Sequence, residues 1–595
     1  EFHKHEIYRM KLITTGGVPI PDSEPVVFLG PWCENQEKAS AGSWQFDGYA
    51  TPDKRADLER QSREISESIF PDLASALNEL HGQDIPNEFW SSTIKLWLEI
   101  FTDVVYQRWN CITEAISTAS FTSAAQVTTR RSQLTPKTRL EIQRLINSHE
   151  WNHLIFGEIL DFLEFPQEEP EPGEFVNHSN HLQSKHFNPK RGLIKRLASW
   201  LNNTLARRAK YMITQTYLPR KVEIRLAVRL RTLPFKWEDV ALDDVEIDNE
   251  LRDRVQIKTS ESRDAEQFIR KIISRHIPML YIEHFQKVSE SFTKKTLPSR
   301  PTTIFTSNLH MASEQFLLWM SHKALGGTRL VIGQHGGVHG MSKFDSQEFS
   351  HEMELADSYL SWGWPSSNNS SVVPSFALIN ANSGDRRTTK SSLRSTLLFV
   401  VDSTYRYPSP NRGINGPLVQ YLNNCFAVTE QLSPVVRDNT CVRLYHEHEY
   451  FDNNQQPFWN SRFPTLNVST GHTPMKQHRE QARIVLCTSI GTTYIETIHR
   501  DIPTVIYLDP AISPLKAEHA QIFESMEQSG ILHFSAESAA EHINSVWGKV
   551  DEWWQSEPVR ESITKFSYLF SRTVNDPISF LQLVISGNAN REESR

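Results

Sequence analysis

Cysteine is scarce in this chain. Five residues (Cys33, Cys111, Cys425, Cys441 and Cys487) are scattered over 595 positions, an odd number with no Cys-x-x-Cys pair. That excludes a paired-cysteine zinc site and a disulfide-stapled scaffold, and it fits a reducing compartment. Long hydrophobic runs are missing too. No stretch approaches the ~18 apolar residues of a membrane-spanning helix; the longest, such as 396–401, are strand-sized. The polar start, Glu1-Phe-His-Lys-His-Glu-Ile-Tyr-Arg9, lacks the apolar core of a signal peptide, and Met10 is a candidate natural start. A cytoplasmic location is expected. Positive charge is not in excess either. Lys+Arg number 63 against 71 Asp+Glu, a formal net charge of −8, so no global basic field exists and no nucleic-acid partner is expected.

Core-forming residues are plentiful. Hydrophobic residues make up 38% and aromatics 10%, with 15 Trp and 31 Phe, far from the composition of a disordered chain. The length favours several domains. Residues 52–80 carry apolar positions at helical spacing (Leu58, Ile65, Ile69, Leu73, Leu77, Leu80). The pattern continues over 87–120 with Phe89, Trp90, Trp97, Phe101, Tyr106 and Trp109, read as helix core. Residues 157–174 are acidic and Pro-rich, a surface loop. Lys185 to Arg231 then holds thirteen Lys/Arg against a single acid, Glu223, with Leu193, Ile194, Leu197, Trp200, Leu201 and Leu205 interleaved. That is either a solvated basic face or a contact with an anionic membrane surface.

From about residue 300 the texture becomes strand–helix–strand. Strands are expected at 302–306, 329–333, 396–401, 442–445, 483–487 and 504–508, with helices at 314–323, 419–431 and 492–499. The fold class is α/β: two Rossmann-like domains facing across a cleft, with large helical insertions in the first. Residues 1–370 form an N-terminal, acceptor-side domain, 371–395 a linker rich in Ser, Asn and Thr, and 396–595 a nucleotide-binding domain with C-terminal helices. In such sheets ligands bind at the carboxyl ends of the strands.

Four constellations there could carry chemistry. Gly333-Gln-His-Gly-Gly-Val-His-Gly340 places His335 on a loop with four glycines in eight residues, suited to a general base or to a structural turn. His339 is the weaker candidate. No third ligand is evident for a metal at this pair, and no metal is expected. Cys487-Thr-Ser-Ile-Gly-Thr-Thr-Tyr-Ile-Glu496 opens a helix whose amides and hydroxyls (Ser489, Thr492, Thr493) suit a phosphate, with Glu496 one turn in. Ordinary N-capping explains the hydroxyls as well, and no Gly-Lys-Ser/Thr ending makes this a P-loop. Val442-Arg-Leu-Tyr-His446 offers Arg443 and His446 as a phosphate clamp. Asp402-Ser-Thr-Tyr-Arg406 adds Arg406 at another strand end. Trp362-Gly-Trp364 and Tyr217-Leu-Pro-Arg220 read as structural.

The chain resembles a family of transferases from bacterial O-antigen and surface-carbohydrate gene clusters. The resemblance runs through Phe28-Leu-Gly-Pro-Trp-Cys33, the segment ending at Gly82, Tyr217-Leu-Pro-Arg220, Thr306-Ser-Asn308, Ile332-Gly-Gln-His-Gly-Gly337, Trp362-Gly-Trp364, the Thr-Thr-Tyr-Ile-Glu496 helix and Trp547–Trp554. That family looks like GT-B glycosyltransferases. More distantly it is similar to capsule and O-antigen Kdo transferases, which use CMP-activated acidic sugars, and to polymerases that use CDP-glycerol. The resemblance implies His335 as catalytic base facing the donor phosphate. It implies Arg443, His446, Ser489 and Thr492 around the nucleotide and Glu496 at the ribose; Gln334, Gly336, Gly337, Arg406 and Thr493 are expected on the donor side as well. Those relatives often show His-Pro where this chain has His446-Glu447, a departure at the phosphate clamp. The implied activity is metal-independent transfer of a sugar, a CMP-linked ulosonic acid such as Kdo or a nonulosonic acid, to an O-antigen, lipopolysaccharide or capsule acceptor. No cofactor beyond the nucleotide-sugar donor is expected. A peripheral contact with the inner membrane would run through 185–231. A CDP-glycerol-type glycerophosphotransferase and a non-catalytic carbohydrate or lipid-surface binding protein are the alternatives.

Overall fold

A computed structural model describes residues 10–18, 25–33, 51–118, 121–127, 134–168, 207–242, 246–295, 297–381, 391–403, 405–407, 418–445 and 454–587. Strands β1 (Lys11–Ile13), β2 (Val26–Phe28) and β3 (Ser123–Ala124) form a small parallel sheet in the order β2-β1-β3. Strands β4 (Tyr211–Ile213), β5 (Thr303–Thr306), β6 (Arg329–Gly333), β7 (Ser358–Ser361) and β8 (Val372–Pro374) form a second, in sequence order. Strands β9 (Thr396–Val400), β10 (Thr440–Arg443), β11 (Asn467–Ser469), β12 (Ala482–Cys487), β13 (Thr504–Tyr507) and β14 (Leu532–His533) form the third, ordered β11-β10-β9-β12-β13-β14. All pairings in these sheets are parallel. The α/β class is therefore as expected, with two helix-flanked parallel sheets at a cleft. The third sheet has the doubly wound order, and its direction reverses between β9 and β12, where a crevice opens. Among the described residues no helix is long and apolar enough to cross a membrane.

The N-terminal helices enclose their own core. The helix Pro52–His81 is capped by the Thr51 hydroxyl, which accepts from Lys54 N at 3.2 Å, and it stops at Gly82, where φ is +60°. It packs on the helix Lys95–Thr118, whose Trp97, Leu98 and Phe101 are fully buried. The aromatic stripe is core, as read from the sequence. Each such side chain contributes roughly 2–3 kcal/mol of burial.

Two elements lie outside the domains expected for them. Val372–Pro374, inside the expected linker 371–395, is an edge strand paired with β7, because Val372 and Val373 extend that sheet. Residues 382–390 of the linker lie outside the described residues. The last helix, Pro577–Ser586, expected with the second domain, covers the first domain's sheet. Leu581, Val584 and Ile585 share a core with Ile213, Phe305 and Val331, and Thr303 Oγ1 donates to the Ile585 carbonyl at 2.9 Å. The chain crosses back beside Gly363, where Arg572 N donates to the Trp362 carbonyl at 3.0 Å. Of the basic stretch, 185–206 lie outside the described residues. The helix Arg220–Arg229 exposes Ile224 and Val228, one turn apart, among Lys221, Arg225 and Arg229.

Candidate functional site

The loop after β6 carries His335 to the junction of the two larger sheets. Gly333 is required there: a Cβ on it would stand 2.4 Å from Leu378 Cδ1 and 2.7 Å from Ser307 Oγ. Gln334 ties the loop down. Its Oε1 accepts from Trp362 N (2.8 Å) and Trp364 Nε1 (2.9 Å), and its Nε2 donates to the Gly336 carbonyl (2.7 Å). The expected donor-binding role of Gln334 is corrected accordingly, since its amide is engaged inside the first domain and it is 1% exposed. The same bonds explain the Trp362-Gly-Trp364 motif.

Gly337 is one of the points where the domains touch. Its N–H donates to Thr492 Oγ1 at 3.1 Å, and a Cβ added to it would lie 2.6 Å from the Gly491 carbonyl oxygen. The loop of His335 thus abuts the N-terminus of the helix Thr492–His499. That helix has glycine at its N-cap and no side-chain cap. Ser489, just before it, lines the cleft beside Asp402 at the end of β9. Burial raises the Asp402 carboxyl above the usual range, and the neighbouring Ser489 hydroxyl works against that shift.

Between these parts is a cavity of about 660 Å³, lined from the first domain by His335, His339 and Asn308 and from the second by Asp402, Tyr405 and Ser489. The His335 ring is 24% exposed, while Glu352 and His310 beside it are fully buried. Glu352 Oε1 lies 3.2 Å from His335 Nδ1 and 3.3 Å from His310 Nε2, though neither approach has hydrogen-bond alignment. Burial pushes His335 down to about 4, against weaker raising effects of Glu348 and the Ser307 backbone. It drives His310 down, with His335 and His351 adding to the effect, and it drives Glu352 up, with Glu348 adding. These three groups favour total neutrality.

Tyr217, read from sequence as structural, packs edge-on against His335 at 6.0 Å. Both Gln215 (φ +42°) and Tyr217 (φ +60°) take the left-handed backbone, a strain of roughly 1 kcal/mol or more each that recurs near functional sites. His339 is tied through Nδ1 to Tyr359 Oη at 2.8 Å. Its free ring nitrogen, one on His335 and a Glu352 oxygen lie within 4.8 Å of one another, so the fold supplies the third metal-ligand candidate that the sequence did not reveal.

Several expected donor residues have other partners. Arg443 donates to the carbonyls of Thr473 (2.7 Å) and Gly471 (2.8 Å), holding a loop of its own domain. Its expected phosphate contact is corrected on that ground. Arg406 Nη1 contacts His149 Nε2 at 2.6 Å, bridging to the N-terminal helical region. Glu496 forms an ion pair with Arg479, so a ribose there would meet the pair rather than a lone carboxylate. Thr492 is bonded to Gly337, and Thr493 follows it on the helix; Gly336 lies beside the His339 ring. His446 lies outside the described residues. Sequence reasoning missed Glu352, His310 and Arg139. His310 follows the carboxyl end of β5 closely, the one signal that marked it.

A family model described as LIC12162 family transferase matches residues 10–585. The chain belongs to the LIC12162 family of transferases. No curated protein matches this transferase. Among solved structures, MurG of Acinetobacter baumannii is similar at 10% identity and a TM-score of 0.31, covering 64% of this chain and 99% of that one.

Proposed function

We propose that this transferase is a glycosyltransferase of GT-B type that moves a sugar from a nucleotide donor, a CMP-linked ulosonic acid, to a surface-glycan acceptor. The observation that carries the reading is the cleft. A half-buried histidine backed by a buried carboxylate shares one cavity with Asp402, Ser489 and Ile490, at the switch point of a doubly wound sheet and just ahead of the uncapped helix N-terminus. The second domain would hold the nucleotide at Ser489 and the amides of Thr492 and Thr493, where a helix terminus stabilises the charge left on the departing phosphate. His335 would take the proton of the acceptor hydroxyl as its oxygen bonds to the anomeric carbon and the bond to phosphate breaks. Its Nδ1 faces Glu352, and the acceptor hydroxyl would take the place of the Ser307 backbone at the ring's other nitrogen. This is an inverting mechanism. The exposed Ile224 and Val228 among basic residues favour a contact of the first domain with an anionic glycolipid surface.

The test is product analysis with the full chain. Free CMP released from CMP-Kdo in the presence of a glycan acceptor, undiminished by EDTA, is the expected result. Release only from CDP-glycerol would favour glycerophosphate transfer. Loss of activity in EDTA with recovery on added divalent ion would move His335, His339 and Glu352 from proton transfer to metal binding.

Glu352→Gln is expected to fold and to lower kcat roughly 10–100-fold with little change in KM. The variant keeps the volume but cannot stabilise the imidazolium that forms in the transition state. Equal losses in kcat and in thermal stability would make Glu352 a packing residue only.

A further inference from the structure

Arg139 begins the short helix Arg139–Leu145, which belongs to the N-terminal helical region and comes to lie against the cleft. Its side chain is fully buried. One guanidinium nitrogen, Nη2, donates to the Met311 carbonyl at 2.8 Å. The other two, Nε and Nη1, have no hydrogen-bond partner. The nearest acids do not take them. Glu314 is occupied by the Arg139 backbone N–H (2.6 Å) and by Tyr281 Oη (2.8 Å), and Glu352 faces the two histidines. A buried guanidinium with open donors is costly, since each unsatisfied donor loses its hydration without a replacement. Nε–H and Nη1–H lie on different edges of the guanidinium, so each offers one charge-assisted hydrogen bond to a carboxylate or phosphate.

The other charged groups of the cavity are already matched. Arg55 Nε contacts Glu59 at 3.1 Å, and Asp345 accepts from Lys516 at 2.9 Å. Glu348 accepts from Gln143 at 3.3 Å. Arg139 lines the same cavity as His335.

We infer that Arg139 binds an oxyanion of the substrate, and that this oxyanion is the carboxylate of an acidic sugar brought beside His335. The inference rests on the glycosyl-transfer reading for the sugar's role. It does not rest on that reading for the anion site itself.

The experiment uses the full chain and measures thermal stability and calorimetric binding for wild type, Arg139→Met and Arg139→Lys. The probes are Kdo and N-acetylneuraminic acid, the methyl esters of both, inorganic phosphate, and CMP. Wild type should bind at least one of the acids, and its ester at least about tenfold more weakly, the size of one charge-assisted contact. Arg139→Met should be as stable as wild type without ligand and should treat acid and ester alike. Arg139→Lys, which keeps the charge without the two open guanidinium donors, should fold and bind the acid with intermediate affinity. Equal binding of acid and ester by wild type, or of the acid by wild type and Arg139→Met, would overturn the proposal. So would binding of neither acid, or an Arg139-dependent response to phosphate alone. A loss of stability in both variants with acid binding retained would make Arg139 a structural ion. Acid binding with no response to CMP would leave the anion site standing and sink the nucleotide-donor reading instead.

Discussion

His335→Ala is expected to lower donor turnover by roughly 10²–10⁴-fold, the usual range for losing a positioned general base. The thermal transition should move little, because the ring is 24% exposed and its Nδ1 makes no hydrogen bond. The pH dependence follows from the same burial. The folded ring is held at about 4, below the ordinary imidazole value near 6.5, so the neutral, proton-accepting form dominates above about 4. The kcat/KM of wild type should therefore be flat on the acid side down to about pH 5 and should fall as pH drops through about 4. Stability has the same sign. A histidine held below its unfolded value contributes stability above pH 6.5 that is lost as pH falls. His153, His351 and His542, held at about 4, about 3 and about 4, act with His335 in that window. Near-wild-type turnover by a folded His335→Ala protein would remove His335 from the chemistry.

Gly337→Ala is expected to be the second severe variant, and for a different reason. The added methyl would stand 2.6 Å from the Gly491 carbonyl oxygen and 2.7 Å from Ile495 Cδ1. A backbone carbonyl cannot rotate away as a flexible side chain can. The loop must therefore shift or the domains must part, and the Gly337–Thr492 hydrogen bond is lost with either motion. Overpacking of this kind costs roughly 1–3 kcal/mol. A displacement near 1 Å between the base and the leaving-group site costs on the order of 10²-fold in rate. The expected result is a lowered melting temperature with turnover reduced about a hundredfold and nucleotide binding to the second domain largely kept. Unchanged turnover would mean that this contact between the domains does not set the catalytic geometry.

The second sheet of the cleft was legible because buried parallel strands are apolar runs. Arg483 to Cys487 and Thr504 to Leu508 announce themselves, and the helix Thr492–His499 between them begins and ends where the sequence places it. β8 was hidden, since two valines in a stretch of Ser and Asn carry little periodicity. The return of Leu581, Val584 and Ile585 to the first sheet was hidden too, because an amphipathic helix does not say which sheet it covers. The site was half legible. A histidine among glycines after a strand stands out in one dimension. Its neighbours Glu352 and His310 do not, for they converge from separate segments, and Arg139 arrives from a helix nearly two hundred residues upstream of the loop. Gln334 and Arg443 mark the opposite limit. Sequence displays their hydrogen-bonding capacity, and only the fold shows that it is already used inside their own domains, by carbonyls that accept from both and by an indole that donates to Gln334.

The central claim is that the cleft binds a nucleotide at the second domain's helix terminus, opposite His335. Hydrogen exchange read by mass spectrometry, on the full chain titrated with CMP, CDP, UDP and GDP, tests it most directly. The account predicts that one of these nucleotides, CMP first, slows exchange over Ser489–Tyr494 and over the facing loop at 335–338. Binding with no protection of that helix terminus, or no binding of any of the four, would contradict it.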